Sequence, residues 1–339
     1  MKRREPDFEN NLLKVFKKEK PDRATLFEEW ISSRLLSVLA GHAQEEGKLG
    51  RLRLTVDAMA NAGYDHAPCG LPFTFREVGR TRSATVSLNG EALITDWESF
   101  EKFEWPDADH IDTSSLENIK PYLPIGMKLV AKGPGGVLEN VIDLVGYDNL
   151  CIMMFEEPEL VGEIFNAVGS RLLKYYEACV GADVVGALCS NDDWGFNTQT
   201  FLSPSDMRKY VFPWHKRIVE LAHKNGKPCM LHSCGYYGEV IEDVINGIGF
   251  DARHSYEDNI TPVEQAYEEL NGRIAVLGGI DINFLTTKTP EEVYTRSRAM
   301  LERSADRGGY ALGSGNSIPD YIPYENYMAM LRAATEFVY

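Results

Sequence analysis

The sequence predicts an α/β chain built as a (β/α)8 TIM barrel with a helical N-terminal extension. Three observations predict it. Eight short apolar or β-rich runs recur along the 339 residues, helices with clear start signals separate the later runs, and polar residues gather directly after them. Strands alternating with amphipathic helices mean parallel βαβ units. Eight of them suit a barrel better than an open doubly wound sheet, which is the alternative. Gly133-Pro134-Gly135-Gly136 lacks the spacing and setting of a dinucleotide fingerprint, and no phosphate-loop signature occurs.

In chain order, residues 1–63 read as a mainly helical N-terminal extension of a single domain spanning 1–339. Leu12, Leu13, Val15 and Phe16 give a helical pattern that Pro21 ends, and Ile31 to Asn61 is helical with interruptions at Gly41, Gly47 and Gly50. Between them Thr25–Phe27 is expected as a short first strand. The other runs are Tyr64–Pro68, Met127–Ala131, Val184–Cys189, Pro228–His232, Phe250–His254, Ile274–Gly279 and Gly309–Leu312. Residues 70–125 interrupt this rhythm as an insertion after the second strand. It holds a predicted hairpin, Thr85–Leu88 and Ala92–Ile94 around the Asn89-Gly90 turn.

Ser203-Pro204-Ser205-Asp206 opens a helix whose Met207, Val211, Trp214, Ile218 and Leu221 step by three and four, with a bend expected at Pro213. Thr261-Pro262-Val263-Glu264 and Thr289-Pro290-Glu291-Glu292 both fit a capping box with proline at the first helical position. A last helix is expected from Pro323 onward.

A formal charge of −16 with no basic stripe argues against nucleic acid. No apolar run approaches the roughly 18 residues a membrane span needs, and the charged start at Met1 to Asn11 does not read as a signal peptide. The expected location is the cytoplasm, where Cys69, Cys151, Cys179, Cys189, Cys229 and Cys234 stay reduced. Hydrophobic residues make up 44% of the chain, enough for a large core and an enzyme of ordinary composition.

In a barrel the active site lies at the carboxyl ends of the strands. There the fifth run delivers His232 and Cys234, two residues apart and so on one strand face. An imidazole and a thiol so placed can share a zinc ion; the structural alternative is a buried thiol beside a histidine bonded to backbone. Zinc commonly takes three protein ligands, and His254, Cys189, Glu257, Asp192 and Asn316 are candidates for the third. Zinc has no accessible redox change, so such a site favours group transfer, with the metal activating a thiol or hydroxyl or acting as a Lewis acid.

Asp192 and Asp193 follow the fourth run and Asp281 the seventh, as candidates for general-base or substrate-orienting roles; each could equally cap a turn. Glu28, Trp194, His254, Glu257 and Asn316 are expected to contact a small-molecule substrate. His42, His66, His110, His215 and His223 are assigned no role.

The segments Asn191-Asp192-Asp193-Trp194-Gly195, Leu202-Ser203-Pro204, Leu231-His232-Ser233-Cys234-Gly235, Gly278-Gly279-Ile280-Asp281 and Gly308-Gly309 through Pro323-Tyr324-Glu325-Asn326 carry a resemblance. Over about residues 120–335 the chain resembles the uroporphyrinogen decarboxylase superfamily, in its branch of cobalamin-dependent methyltransferases. The resemblance implies a (β/α)8 barrel with a helical N-terminal extension. It also implies zinc held by His232, Cys234 and a further cysteine after the last strand, and a thiol that accepts a methyl group from methylcobalamin on a partner corrinoid protein. The last cysteine does not carry over, because Asn316 stands about where it should fall.

True decarboxylases of the superfamily need no metal and carry an Arg-Gln-Ala-Gly-Arg motif. Here the corresponding region reads Thr25-Leu26-Phe27-Glu28-Glu29-Trp30, with acids in place of cations. The expected function is zinc-dependent methyl transfer between a small methylated or thiol substrate and a corrinoid carrier. The alternatives are a metal-free decarboxylase of a small carboxylated substrate and a non-catalytic ligand-binding barrel.

Overall fold

A computed structural model of the chain describes residues 4–76, 88–90 and 92–339. Helices α1 (Leu12–Phe16), α2 (Ser33–Ala40) and α3 (Gly47–Ala62) precede strand β1 (His66–Cys69). Then come α4 (Trp97–Lys102), α5 (Ser114–Asn118), β2 (Lys128–Lys132), α6 (Val137–Val145), α7 (Tyr147–Glu156), α8 (Pro158–Val180) and β3 (Val185–Asn191). The second half continues with α9 (Pro204–Asp206), α10 (Phe212–Lys224), β4 (Cys229–His232), β5 (Ala252–His254), α11 (Val263–Leu270) and β6 (Ala275–Leu277). It closes with α12 (Ile282–Thr287), α13 (Pro290–Ser304), β7 (Tyr310–Ala311) and α14 (Tyr324–Thr335).

The seven strands form one parallel sheet in sequential order, β1 to β7. The expected first strand is present only as a parallel bridge, Leu26 to Leu312, at the β7 edge. On its other side Phe27 stacks on His66 of β1 at 5.0 Å, and His66 Nε2 lies 3.2 Å from the Glu28 carbonyl. Among the described residues no backbone ladder joins this segment to β1. The acids at Glu28 and Glu29 leave only three residues of strand character there, which accounts for a bridge instead of a ladder.

Side chains alternate across each strand, so the sheet has an inner and an outer face. Phe27, Val130, Ala187, Cys189, Met230, Ala252, Ala275, Leu277 and Ala311 form one buried inner cluster, sealed at one end by Phe8, Leu12, Val15 and Phe16. The residues between them, such as Leu129, Ala131, Leu188, Cys229 and Leu231, pack outward against the helices. Burying each large aliphatic or aromatic side chain in these layers contributes about 1.5–3 kcal/mol. The inner positions next along the strands are polar: Glu29, Lys132, Asn191, His232 and His254. The apolar core therefore ends in a polar layer at the carboxyl ends of the strands.

Helix ends follow their side chains. Thr289 forms its capping box with Glu292, at 3.3 Å and 2.9 Å. The box expected at Thr261 does not form: the helix begins one residue later, with Pro262 as its cap and no side-chain bond. The bend that Pro213 demands is taken up in a π-helical turn, Met207–Val211, directly before α10. Of the predicted hairpin, Thr85 to Ser87 lie outside the described residues, and Ala92–Ile94 is not a strand. The described part of the insertion holds α4 and α5. No helix among the described residues is long and apolar enough to cross a membrane.

Candidate metal centre at the carboxyl ends of the strands

β4 ends on His232, and the chain then turns sharply through Ser233, Cys234 and Gly235. Gly235 has φ +91°, and a Cβ there would lie 2.1 Å from the Gly195 carbonyl oxygen, so only glycine fits this crossing. The turn meets the loop after β3, where Asp193 Oδ1 accepts the Cys234 backbone N–H at 2.8 Å. One ligand-type atom each from Asp193, His232 and Cys234 lies within 4.8 Å of the others. The sequence pattern makes Asp193 a catalytic candidate and does not mark it as a partner of His232 and Cys234. Nothing in the local pattern could reveal it, since β3 and β4 are brought side by side by a long crossover.

The rest of the surroundings are hydrogen-bond partners of these three groups. Asn316 Nδ2 donates to Cys234 Sγ at 3.0 Å, and Ser255 Oγ donates to the same sulfur at 3.7 Å. Burial pushes the Cys234 thiol up, and the charge of Asp193 adds to this. A bound divalent cation reverses that balance, because metal ligation holds a thiol deprotonated. His232 and His254 meet through their Nδ1 atoms at 2.8 Å, while His254 Nε2 lies 3.3 Å from the Ser314 carbonyl. A carbonyl only accepts, so His254 carries its proton on Nε2 and burial holds the ring neutral. Its Nδ1 is then an acceptor, His232 donates through Nδ1–H, and the lone pair of His232 lies on Nε2. Such an outer partner fixes the tautomer a metal needs.

Two of the predicted carboxylates are engaged elsewhere. Asp192 is fully buried; it accepts from the backbone N–H of Leu138 and Glu139 at the start of α6, at 3.0 and 2.9 Å, and from His215 Nε2 at 2.9 Å. His215 in turn meets Ser190 Oγ at 2.9 Å. Gly136 permits this approach, since a Cβ there would lie 2.1 Å from the Asp192 carboxyl. His215, to which the sequence assigned no role, is thus the partner of a buried charge. His215→Ala is expected to cost about 2 kcal/mol of stability, the scale for removing a buried hydrogen-bond partner of a polar group, measured by urea unfolding. Asp281 caps α12 through Phe284 N–H at 3.0 Å and also accepts from Asp258 N–H at 3.0 Å.

Trp194 is fully buried against Phe212 and His215, and its Nε1 has no partner among the described residues. Glu257 is half-buried, its carboxyl pushed up by burial and then by Asp281 and Asp193. Glu28 lies on the far side of Ser314, accepting from its N–H at 2.7 Å and its hydroxyl at 2.6 Å. The structure therefore gathers Asp193, His232, Cys234, His254 and Asn316, and sets Asp192, Asp281 and Trp194 into supporting positions.

Burial pushes the Glu28 carboxyl up to about 8, although the Ser314 donors oppose it. Glu139 is raised to about 8 by burial and then by Asp193 and Asp192. Unfolded glutamates titrate near ~4.3, so between there and pH 8 the folded chain holds protons that the unfolded chain has released. Stability from this source is complete below that window and falls as pH rises through it. Glu28→Gln, which mimics the protonated acid, is expected to flatten part of the fall. Urea unfolding at pH 5 and pH 8.5 checks this; an unchanged fall would mean that Glu28 is ionised in the folded chain.

A parallel α/β sheet built of βαβ units, with a polar cluster at the carboxyl ends of its strands, is an architecture that gathers ligand-binding groups at that end. The uroporphyrinogen decarboxylase (URO-D) family model matches residues 130–337, more than half of the chain, and the chain belongs to that family. It is 25% identical over 196 residues to a methylated-thiol–coenzyme M methyltransferase of Methanosarcina mazei, covering 57% of this chain and 49% of the relative. To a uroporphyrinogen decarboxylase of Geobacter metallireducens it is 26% identical over 180 residues, covering 53% and 50%. The chain spans about half the length of these curated relatives. A solved methyltransferase from Methanosarcina mazei superposes with a TM-score of 0.70 over 98% of this chain and 99% of that one, at 17% identity. These matches are consistent with the methyltransferase-like branch.

Proposed function

We propose that the chain is a zinc-dependent methyltransferase, moving a methyl group between a small methylated or thiol substrate and a corrinoid carried by a partner protein, at the mouth of a (β/α)8 barrel. The observation that carries this reading is the convergence of Asp193, His232 and Cys234. On a tetrahedral zinc, ligand atoms lie roughly 3.3–3.8 Å apart, so the cluster reaches ligating spacing with side-chain adjustments of about an ångström. The donor set suits the ion: one thiolate, one imidazole and one carboxylate leave a fourth position for substrate. Asp193 and Cys234 together carry the two negative charges that a pair of cysteines would have carried.

Bound there, zinc would supply Lewis acidity and hold a substrate thiol or hydroxyl in its deprotonated form. The chain's own groups do the rest. His254 keeps the Nε2 lone pair of His232 directed away from its hydrogen bond, and Asn316 with Ser255 restrains the Cys234 sulfur. The rival reading, a metal-free decarboxylase, asks Asp192 or Asp193 to face a developing cation on the substrate. Asp192 is committed to α6 and His215, which weighs against it in that role.

Two assays test the proposal. Zinc content should approach one per chain in the purified protein and be lost in a His232→Ala, Cys234→Ala double variant; negligible zinc in both would sink the metal reading. Free methylcobalamin with a small thiol should lose its methyl group faster in the presence of the zinc-loaded chain, followed by cobalamin absorbance.

A further inference from the structure

We propose that Arg253 is a positioning residue of the metal centre, a buried and unpaired cation that favours a substrate binding there as an anion, a thiolate, over a neutral ligand. The proposal rests on the zinc site described above.

Arg253 is the middle residue of β5 and is 1% exposed. Its neighbours in register are Leu231 on β4 and Val276 on β6, both apolar. The guanidinium therefore sits where the sheet otherwise buries hydrocarbon, and a fully buried arginine is rare unless paired. Among the described residues it has no ion-pair partner, and its Nε and Nη1 have no hydrogen-bond partner. It is held instead between two rings, 3.2 Å from the centre of Tyr237 and 4.5 Å from that of Tyr256. Such contacts stabilise the charge. Burial pushes the group down to about 10, so it stays a cation at neutral pH.

Both rings come from the loops that build the metal centre. Tyr237 follows Cys234 by three residues, and Tyr256 follows His254 by two. Ser255 donates to Cys234 Sγ at 3.7 Å. Tyr256 N–H donates to the carbonyl of Gly315, next to the Asn316 that reaches the same sulfur. The charge also acts across the site. Burial is the main force that keeps His232 and His254 neutral, and Arg253 adds to it, while Cys234 and Glu257 both favour the charged guanidinium.

A charge count gives this cation its use. Zinc with Cys234 as thiolate, Asp193 as carboxylate and a neutral His232 carries no net charge. A thiol that ligates as its thiolate releases its proton to solvent and makes the assembly singly negative. Lys132 is already paired with Glu29. Arg253 offers a fixed positive charge with no counter-ion to give up, and such preorganised charge is most effective where water is excluded.

The test loads the full chain with cobalt(II), whose visible absorption reports its ligands, and titrates it with 2-mercaptoethanol and with imidazole. Arg253→Met, which keeps the length of the side chain and removes its charge, should bind the thiolate about tenfold more weakly than the wild type and imidazole equally well. A role in packing alone would weaken both ligands alike. Circular dichroism checks the fold, and Arg253→Gln gives the same reading if the methionine variant does not fold. A wild type that takes up no cobalt would overturn the metal reading and this proposal together. A loaded wild type whose thiolate preference persists in the variants, a parallel loss of both ligands, or variants that take up no cobalt would overturn this proposal alone.

Discussion

Cys234→Ser is expected to lower the zinc affinity of the chain by about a hundredfold or more, with the fold intact. Losing even an outer-shell partner of a metal ligand costs 10–100-fold in many sites, and here the lost group is the sole thiolate of the cluster. Serine keeps the size of the side chain but does not ionise near neutral pH. Cys234 is only partly buried and its backbone N–H remains bonded to Asp193, so the turn that carries it should survive. Competition against a colorimetric chelator reads the affinity, and circular dichroism reads the fold. An affinity within threefold of the wild type would remove Cys234 from the site.

The second large effect is a gain. Asn316→Cys is expected to raise zinc affinity by about tenfold or more, because Asn316 Nδ2 already lies 3.0 Å from Cys234 Sγ. A thiol at that position would stand where it could share the ion, replacing a hydrogen-bond donor with a soft anionic ligand. Together with Asp193→Asn it offers a swap: loss of the carboxylate should weaken binding, and the added cysteine should restore it. No rescue in the double variant would mean that Asn316 and Asp193 do not occupy equivalent places around the ion.

Much of this arrangement was legible in the sequence because it is periodic. The strand runs, the caps at Ser203 and Thr289 and the His-x-Cys ending of β4 all rest on spacing within one segment. What was not legible depends on groups from different segments meeting. Asp193 and Asp192 are adjacent and chemically identical, yet one faces Cys234 and the other is enclosed by α6 and His215. Only the direction of the chain after β3 separates them. Lys132 reads as one more strand residue until Glu29 arrives from a segment about a hundred positions earlier. The expected capping box at Thr261 shows the reverse error, a complete local motif that the packed helix does not use.

X-ray absorption at the zinc edge of the reconstituted chain tests the central claim most directly. The account predicts one sulfur at about 2.3 Å and nitrogen or oxygen ligands at about 2.0–2.2 Å, with the sulfur lost in Cys234→Ser. Two sulfurs in the shell, or none, would contradict it.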